Sequence, residues 1–209
     1  MKKILYTAIK GILALNLFYS CDVIEEPFLK PVGTETDTNN TEEHIRKVLL
    51  EDFTGQKCPN CPEAVEVSHT LIETYGEQVV VIAIHSGNFA VPDATGDFTA
   101  DFRTAEGSEL DNFFGIYQFG YPMGMINRTE YSGFPVVLKD NWEAAVSAQL
   151  ALEPTADISI TNNFSTSDRK LECTLNSEFL DDFEGTFNIC AFIVESGVVS
   201  PQQTEGGII

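Results

Sequence analysis

Basic residues are scarce in this chain: 12 Lys and Arg stand against 32 Asp and Glu, a formal net charge of −20 over 209 residues. Phosphate backbones are held by clustered Lys and Arg, and no such cluster occurs, so nucleic acid is excluded as a partner. The acidity itself reads as solubility. A long hydrophobic run is also missing. The apolar run from Gly11 to Tyr19 is about half of the roughly 20 residues a membrane-spanning helix needs, so a permanent span is the weaker reading. Hydrolase and kinase signatures are absent. Histidine is rare at 3 residues, and neither His69 nor His85 has the spacing of a second zinc-ligand pair. Cysteine numbers only 5, at positions 21, 58, 61, 173 and 190.

What is present begins with MKKILYTAIKGILALNLFYS (1–20), in which Lys2, Lys3 and Lys10 precede an apolar run and Ser20. That is the layout of a secretory signal. Removing it takes away three lysines and no acids, leaving the remainder more acidic still. Cys21, placed directly after the hydrophobic segment and a small residue, resembles a bacterial lipoprotein cleavage site of the looser Bacteroidetes type. The resemblance implies that Cys21 carries a lipid and anchors the chain to a membrane. The alternative for Cys21 is an ordinary signal-peptide cysteine. With Cys21 lipidated, four cysteines remain, and outside the cytoplasm these tend to pair.

Residues 21–43 carry prolines, threonines and acids with no sustained apolar period and read as an acidic tether. At about 3.3 Å per residue it extends roughly 70 Å. Asp22, Glu25 and Glu26, soon after the lipidated Cys, resemble surface-display signals of these bacteria. From residue 44 the pattern changes. HIRKVLLEDF reads as a buried strand, residues 62–75 place Ala64, Val67, Leu71, Ile72 and Tyr75 on one helical face with Gly76 as C-cap, and Val79–Ile84 is a second buried strand. A strand, helix, strand unit predicts a parallel pair. Residues 86–105 are loop-like, and Asp93, Asp97 and Asp101 lack calcium-loop spacing and read as solvated acids. A helix over 106–116 closes at Gly115, FGYPMGMIN and GFPVVLK read as short strands, and 140–152 reads as a helix with Asp140 as cap candidate. After Pro154 the apolar period becomes two. Ala156, Ile158 and Ile160, then Leu171, Cys173, Leu175 and Phe179, alternate with polar residues, and TFNICAFIV reads as a third strand. The expected fold is therefore α/β over 44–153, followed at 154–209 by the opening of an antiparallel, immunoglobulin-like β-sandwich with too few strands to close. Cys173 and Cys190 are candidates for a cross-strand disulfide or for two small buried hydrophobes.

The quartet Cys58-Pro59-Asn60-Cys61 carries the chemistry. With Cys58 at the helix N-cap, Pro59 and Pro62 occupy positions where a missing N–H removes no helical bond. The helix dipole, free N–H groups and neighbouring Lys57 then favour a Cys58 thiolate. Cys61, one turn on, is suited to attack a mixed disulfide formed at Cys58.

The run DFTGQKCPNC, at the end of a strand and the start of a helix, resembles the active-site segment of the thioredoxin superfamily. That resemblance implies a thioredoxin-like domain, with a buried carboxylate six residues before the first Cys as proton acceptor. Asp52 stands there, and Glu51 is its rival. It further implies a cis-proline before the third strand, at Pro122 in FGYPMGMINR, with Tyr121 and Pro122 contacting substrate. Lys57 stands where tryptophan usually precedes the first Cys, and about thirty residues separate the second strand from Pro122. That longer insert resembles membrane-tethered extracytoplasmic thioredoxins and leaves the direction of catalysis open. More narrowly, the lipoprotein signal, LLEDFTGQKCPNCPEA, the GYP segment and the following β segment resemble the twenty-eight-kilodalton outer-membrane-protein family of Bacteroidetes lipoproteins. This implies the cell envelope, periplasmic or surface-facing, with cysteine-containing envelope proteins as partners and no cofactor. Two alternatives stand beside the redox reading. A zinc site needs four ligands and the C-x-x-C supplies two, so no metal is expected. In a binding or adhesion lipoprotein the Cys58–Cys61 disulfide would stay oxidised and do nothing.

Overall fold

The computed structural model describes residues 44–182 and 184–209. The signal (1–20), Cys21 and the tether (21–43) lie outside the described residues. The fold is mixed α/β. Strand β1 (Val48–Thr54) is followed by helix α1 (Cys61–Tyr75), strand β2 (Val79–His85), a one-turn helix α2 (Gly87–Ala90), helix α3 (Ala105–Phe114), strands β3 (Met123–Ile126) and β4 (Val136–Leu138), and helix α4 (Trp142–Leu150). The sheet order is β2-β1-β3-β4, with β1 parallel to β2 and antiparallel to β3, and β3 antiparallel to β4. The parallel pair is the one expected from the strand, helix, strand pattern.

Strand β1 is central and covered on both faces, which explains its run of apolar residues without clean alternation. Successive side chains take opposite faces. Val48 and Leu50 join Ala64 and Leu71 of α1 and Trp142, Ala145 and Val146 of α4 in one core cluster. Phe53 joins Ile84, Ile116, Met123 and Met125 in a second, with Leu110 and Phe114 of α3 packed against it. Close approach across the first cluster requires Gly124, where a Cβ would sit 2.4 Å from Trp142 Nε1 and 2.9 Å from Leu50 Cδ1. The indole N–H donates to the Val137 carbonyl at 2.9 Å. Gly124→Ala therefore displaces the indole and is expected to destabilise the domain by about 1–3 kcal/mol, the range for overpacked cores. The check is the urea midpoint together with the fluorescence of Trp142, the chain's one tryptophan.

Helix α3 begins at Thr104, whose Oγ1 accepts from Gly107 N at 2.9 Å, and ends at Gly115 in the left-handed region at φ 67°. Glycine enters that region without the Cβ penalty, so its role as the closing residue follows. Two helix starts differ from expectation. A 3-10 turn over Lys139–Asn141 precedes α4, and Asn141 is its N-cap without a side-chain bond. Asp140 instead accepts from Lys139 Nζ at 2.8 Å, and the same ammonium reaches Glu63 at 2.9 Å. The N-cap of α1 is Asn60, not Cys58. The Cys61 N–H is taken by the Cys58 carbonyl at 3.3 Å, closing a turn with Pro59 at its second position before the helix ladder begins.

Beyond α4, β5 (Ala156–Ser165) and β6 (Lys170–Phe179) form an antiparallel hairpin, and β7 (Gln203–Thr204) with β8 (Gly207–Ile208) a smaller one. The third strand expected in TFNICAFIV does not form: among the described residues no strand lies between Phe179 and Gln203. The alternation in β5 and β6 does place Ile158, Ile160, Phe164, Leu171 and Phe179 on one face, yet all of them remain exposed. Phe187 reaches Phe179 on that face at 5.1 Å between ring centroids, but the face stays exposed, so burial supplies little drive to extend the ladder. The Cys173–Cys190 bridge is not made, and both thiols are free and exposed. Cys173 faces Asn162 across the ladder, while Phe192 and Cys190 lie against the Arg128 guanidinium.

Candidate active site

Strand β1 runs into the loop Gly55–Asn60, and the Cys58–Cys61 turn sets two Cα atoms 5.4 Å apart, inside the range a disulfide spans. The disulfide is formed, and both residues are shut off from solvent at 0% and 1% exposure. One side of this loop is held by the segment after β2. Lys57 N donates to the Phe89 carbonyl at 3.0 Å, and a Cβ on Gly55 would lie 2.5 Å from the Phe89 carbonyl carbon, so only glycine admits that contact. The buried Gln56 amide donates to the carbonyls of Phe98 (3.3 Å) and Ala100 (2.8 Å), stapling the long insert to the loop. Lys57 does not act as a free cation beside Cys58. Its ammonium pairs with Asp93 at 2.6 Å. Asp101 is likewise engaged, with Arg103, which holds its carboxyl down at about 2.

The two candidate carboxylates separate cleanly. Glu51, fully buried, accepts a two-pronged bond from Arg128, Nε to Oε2 at 2.8 Å and a terminal N–H to Oε1 at 2.6 Å. Asp52 is 2% exposed, its Oδ1 has no hydrogen-bond partner, and burial pushes its pKa up to about 7. Desolvation disfavours the charged carboxylate, which is the whole cause of the shift. By strand alternation Asp52 shares the face of Val48 and Leu50, the face covered by α1, whose first residue is Cys61. Asp52 is therefore a buried carboxyl whose charged form is disfavoured, set on the sheet face that α1 covers.

The Tyr121–Pro122 peptide is cis and leads into β3. The Tyr121 hydroxyl donates a short bond to Asp111 Oδ2, and its ring lies against Gly87 and edge-on to Phe89 at 6.3 Å. Burial and the Asp111 bond both raise the phenol's pKa. Asp111, itself buried, also accepts from Tyr117 N at 2.8 Å. Tyr121, Phe89 and the Cys58 loop are thus linked through the short helix α2. Sequence reasoning missed Asp111, Gln56 and the Arg128 clasp, since each acts across a fold-dependent contact with no local spacing to announce it. His69 is exposed on α1, while His85 packs its ring 5.3 Å from Phe102 and burial lowers its pKa. Among the described residues no group of three His, Cys, Asp or Glu side chains is placed to hold a metal ion.

No protein-family model matches the chain, and no curated protein does. A crystal structure of an Agrobacterium tumefaciens protein from a structural genomics programme is similar over 59% of this chain, at 17% identity and a TM-score of 0.42. The match spans about half, 54%, of that protein's length.

Proposed function

We propose that this chain is a lipid-anchored envelope protein with a thioredoxin-like domain that performs thiol–disulfide exchange at Cys58–Cys61. The reading rests above all on Asp52, a buried carboxyl without a partner at Oδ1, held near pKa 7 on the sheet face beneath α1. In the reducing direction a substrate's disulfide is attacked by the Cys58 thiolate, one substrate sulfur leaves as a thiolate, and a mixed disulfide forms. Cys61 then gives its proton to the Asp52 carboxylate and attacks Cys58 Sγ, which closes the pair and releases the second substrate thiolate. The oxidising direction runs the same bonds backwards. Tyr121 and Pro122 would contact the substrate polypeptide, and cysteine-containing envelope proteins are the proposed partners. The resemblance to the twenty-eight-kilodalton outer-membrane-protein lipoproteins supports the envelope location and the lipid on Cys21, and an immunoglobulin-like β segment after residue 154 belongs to the same reading.

Cys61→Ser is expected to accumulate mixed disulfides with envelope proteins, while Cys58→Ser accumulates none, as read on non-reducing gels. Equal trapping by both variants, or by neither, contradicts the proposal. A second expected result concerns the anchor: Cys21→Ser loses incorporation of labelled palmitate and leaves the membrane fraction, whereas retention of both contradicts lipidation at Cys21.

One observation favours a redox-inert scaffold in a surface binding or adhesion lipoprotein, namely the complete burial of the Cys58–Cys61 disulfide. The same trapping experiment decides between the two readings.

A further inference from the structure

The Cys58 loop is also contacted by the hairpin of residues 202–209. Its ends pair through two backbone bonds between Gln202 and Ile209, each 3.0 Å, so it is a closed unit. Gln203 N donates to the Gln56 carbonyl at 2.8 Å. The Gln202 side-chain amide donates to the Cys58 carbonyl at 3.0 Å, to the Gly55 carbonyl at 3.4 Å and to its own neighbour's carbonyl, Gln203, at 3.1 Å. The carbonyls of Gly55, Gln56 and Cys58 thus form an acceptor ledge immediately before the disulfide, and the chain itself occupies it. The two holds on the loop differ in strength. The insert is locked by the glycine-only backbone approach at Gly55 and by the buried Gln56 staple. Among the described residues the hairpin's hydrogen bonds to the loop come from the Gln202 side-chain amide and the Gln203 N–H, and its Ile208 and Ile209 are 48% and 77% exposed. It buries little apolar surface, so its release costs mainly those hydrogen bonds.

We infer that residues 202–209 are a lid over the Cys58–Cys61 disulfide, docked through Gln202 and Gln203, and that an external thiol reaches the disulfide only when the lid lifts. Accessibility is one of the determinants of exchange rate, and here it is set by a segment lying more than 140 residues away in sequence. The lid holds whether or not the pair turns over a substrate.

The test uses the full chain and dithiothreitol at pH 8. One thiolate of the reagent attacks Cys58 Sγ, the Cys58–Cys61 bond breaks as a mixed disulfide forms, and Cys61 leaves as a thiolate. The second reagent thiol then displaces Cys58, so the protein pair gains two electrons and two protons and the reagent ends as a cyclic disulfide. The decisive variant is Gln202→Glu. It keeps the side chain's shape but points a carboxylate, which cannot donate, at three carbonyl oxygens. Its second-order reduction rate is expected to rise at least fivefold over the wild type. Gln202→Ala, which removes the donor without adding repulsion, should fall between the two. Gln202 is half-buried on the outside of the loop, and Trp142 fluorescence reports that the core is intact. A rise below fivefold in Gln202→Glu with native Trp142 fluorescence overturns the lid. Should that variant lose the native signal, the same criterion at threefold passes to Gln202→Ala. Acceleration without mixed-disulfide trapping keeps the lid and sinks the oxidoreductase reading, and trapping without acceleration does the reverse.

Discussion

Asp52→Asn is expected to make the domain more stable at pH 8 and no more stable, or less so, at pH 4. The sign follows from where the proton sits. The carboxyl ionises near 3.8 in the unfolded chain and at about 7 in the folded one. Below 3.8 it is neutral in both states and burial carries no ionisation penalty. Between 3.8 and 7 the unfolded chain loses the proton while the folded chain keeps it, so unfolding becomes easier by about 1.4 kcal/mol per pH unit. The full loss, on the order of 4 kcal/mol, is present above pH 7. Asparagine cannot ionise and escapes it, but its amide finds no partner at the position of Oδ1, an orphan costing about 1–3 kcal/mol. The balance is a gain of roughly 1–3 kcal/mol at pH 8 that vanishes or reverses at pH 4. Urea unfolding of the oxidised proteins at both values reads it directly. Parallel pH profiles for wild type and variant would show that Asp52 is not the buried acid the structure places there.

The second large effect is opposite in sign. Removing Arg128 strands the Glu51 carboxylate, which has no access to water. Breaking one partner of a buried pair costs about 3–5 kcal/mol, because the remaining charge loses its compensation while staying desolvated. Arg128→Ala should fall in that range, with additional loss from the contacts of its guanidinium over Phe114 at 5.3 Å and Phe192 at 5.9 Å. Glu51→Gln in the Arg128→Ala background should restore much of the deficit, since no buried charge is then left. A double variant as unstable as Arg128→Ala would mean that packing, not the stranded carboxylate, sets the cost. These two acids are adjacent in sequence and opposite in state. Glu51 is satisfied and structural, and Asp52 is unsatisfied and available.

That contrast shows where sequence reading stops. The elements of the first part of the domain were legible because their signals are local: the helical period from Ala64 to Leu71, the apolar runs of β1 and β2, and Gly115 closing α3. The register six residues before Cys58 favours Asp52 with Glu51 as rival, but which of the two is paired is not legible locally, because a central strand is inward-facing on both sides and the partner, Arg128, lies 77 residues away. The start of α1 was misplaced because a proline-bearing turn and a helix N-cap look alike in CPNCP until the Cys61 N–H is assigned. Lys57, an activating cation by sequence, is paired with Asp93. In the β segment, alternation was read correctly in β5 and β6, but a period of two says nothing about whether a partner layer exists, and TFNICAFIV remains outside the ladder. Residues 202–209 carried no motif at all. Their hold on the Cys58 loop is made of backbone carbonyls and glutamine amides, groups whose pairing no local pattern encodes.

The central claim is that Asp52 serves the Cys58–Cys61 pair. It is tested most directly by mixing reduced protein with oxidised glutathione and following, by acid quench and mass spectrometry, the conversion of the Cys58 mixed disulfide to the closed pair between pH 5 and 9. The wild type is expected to show an inflection near pH 7 in the closing rate, and Asp52→Asn to close at least tenfold more slowly above that pH with the inflection gone. Identical rates and profiles in the two proteins would contradict the account.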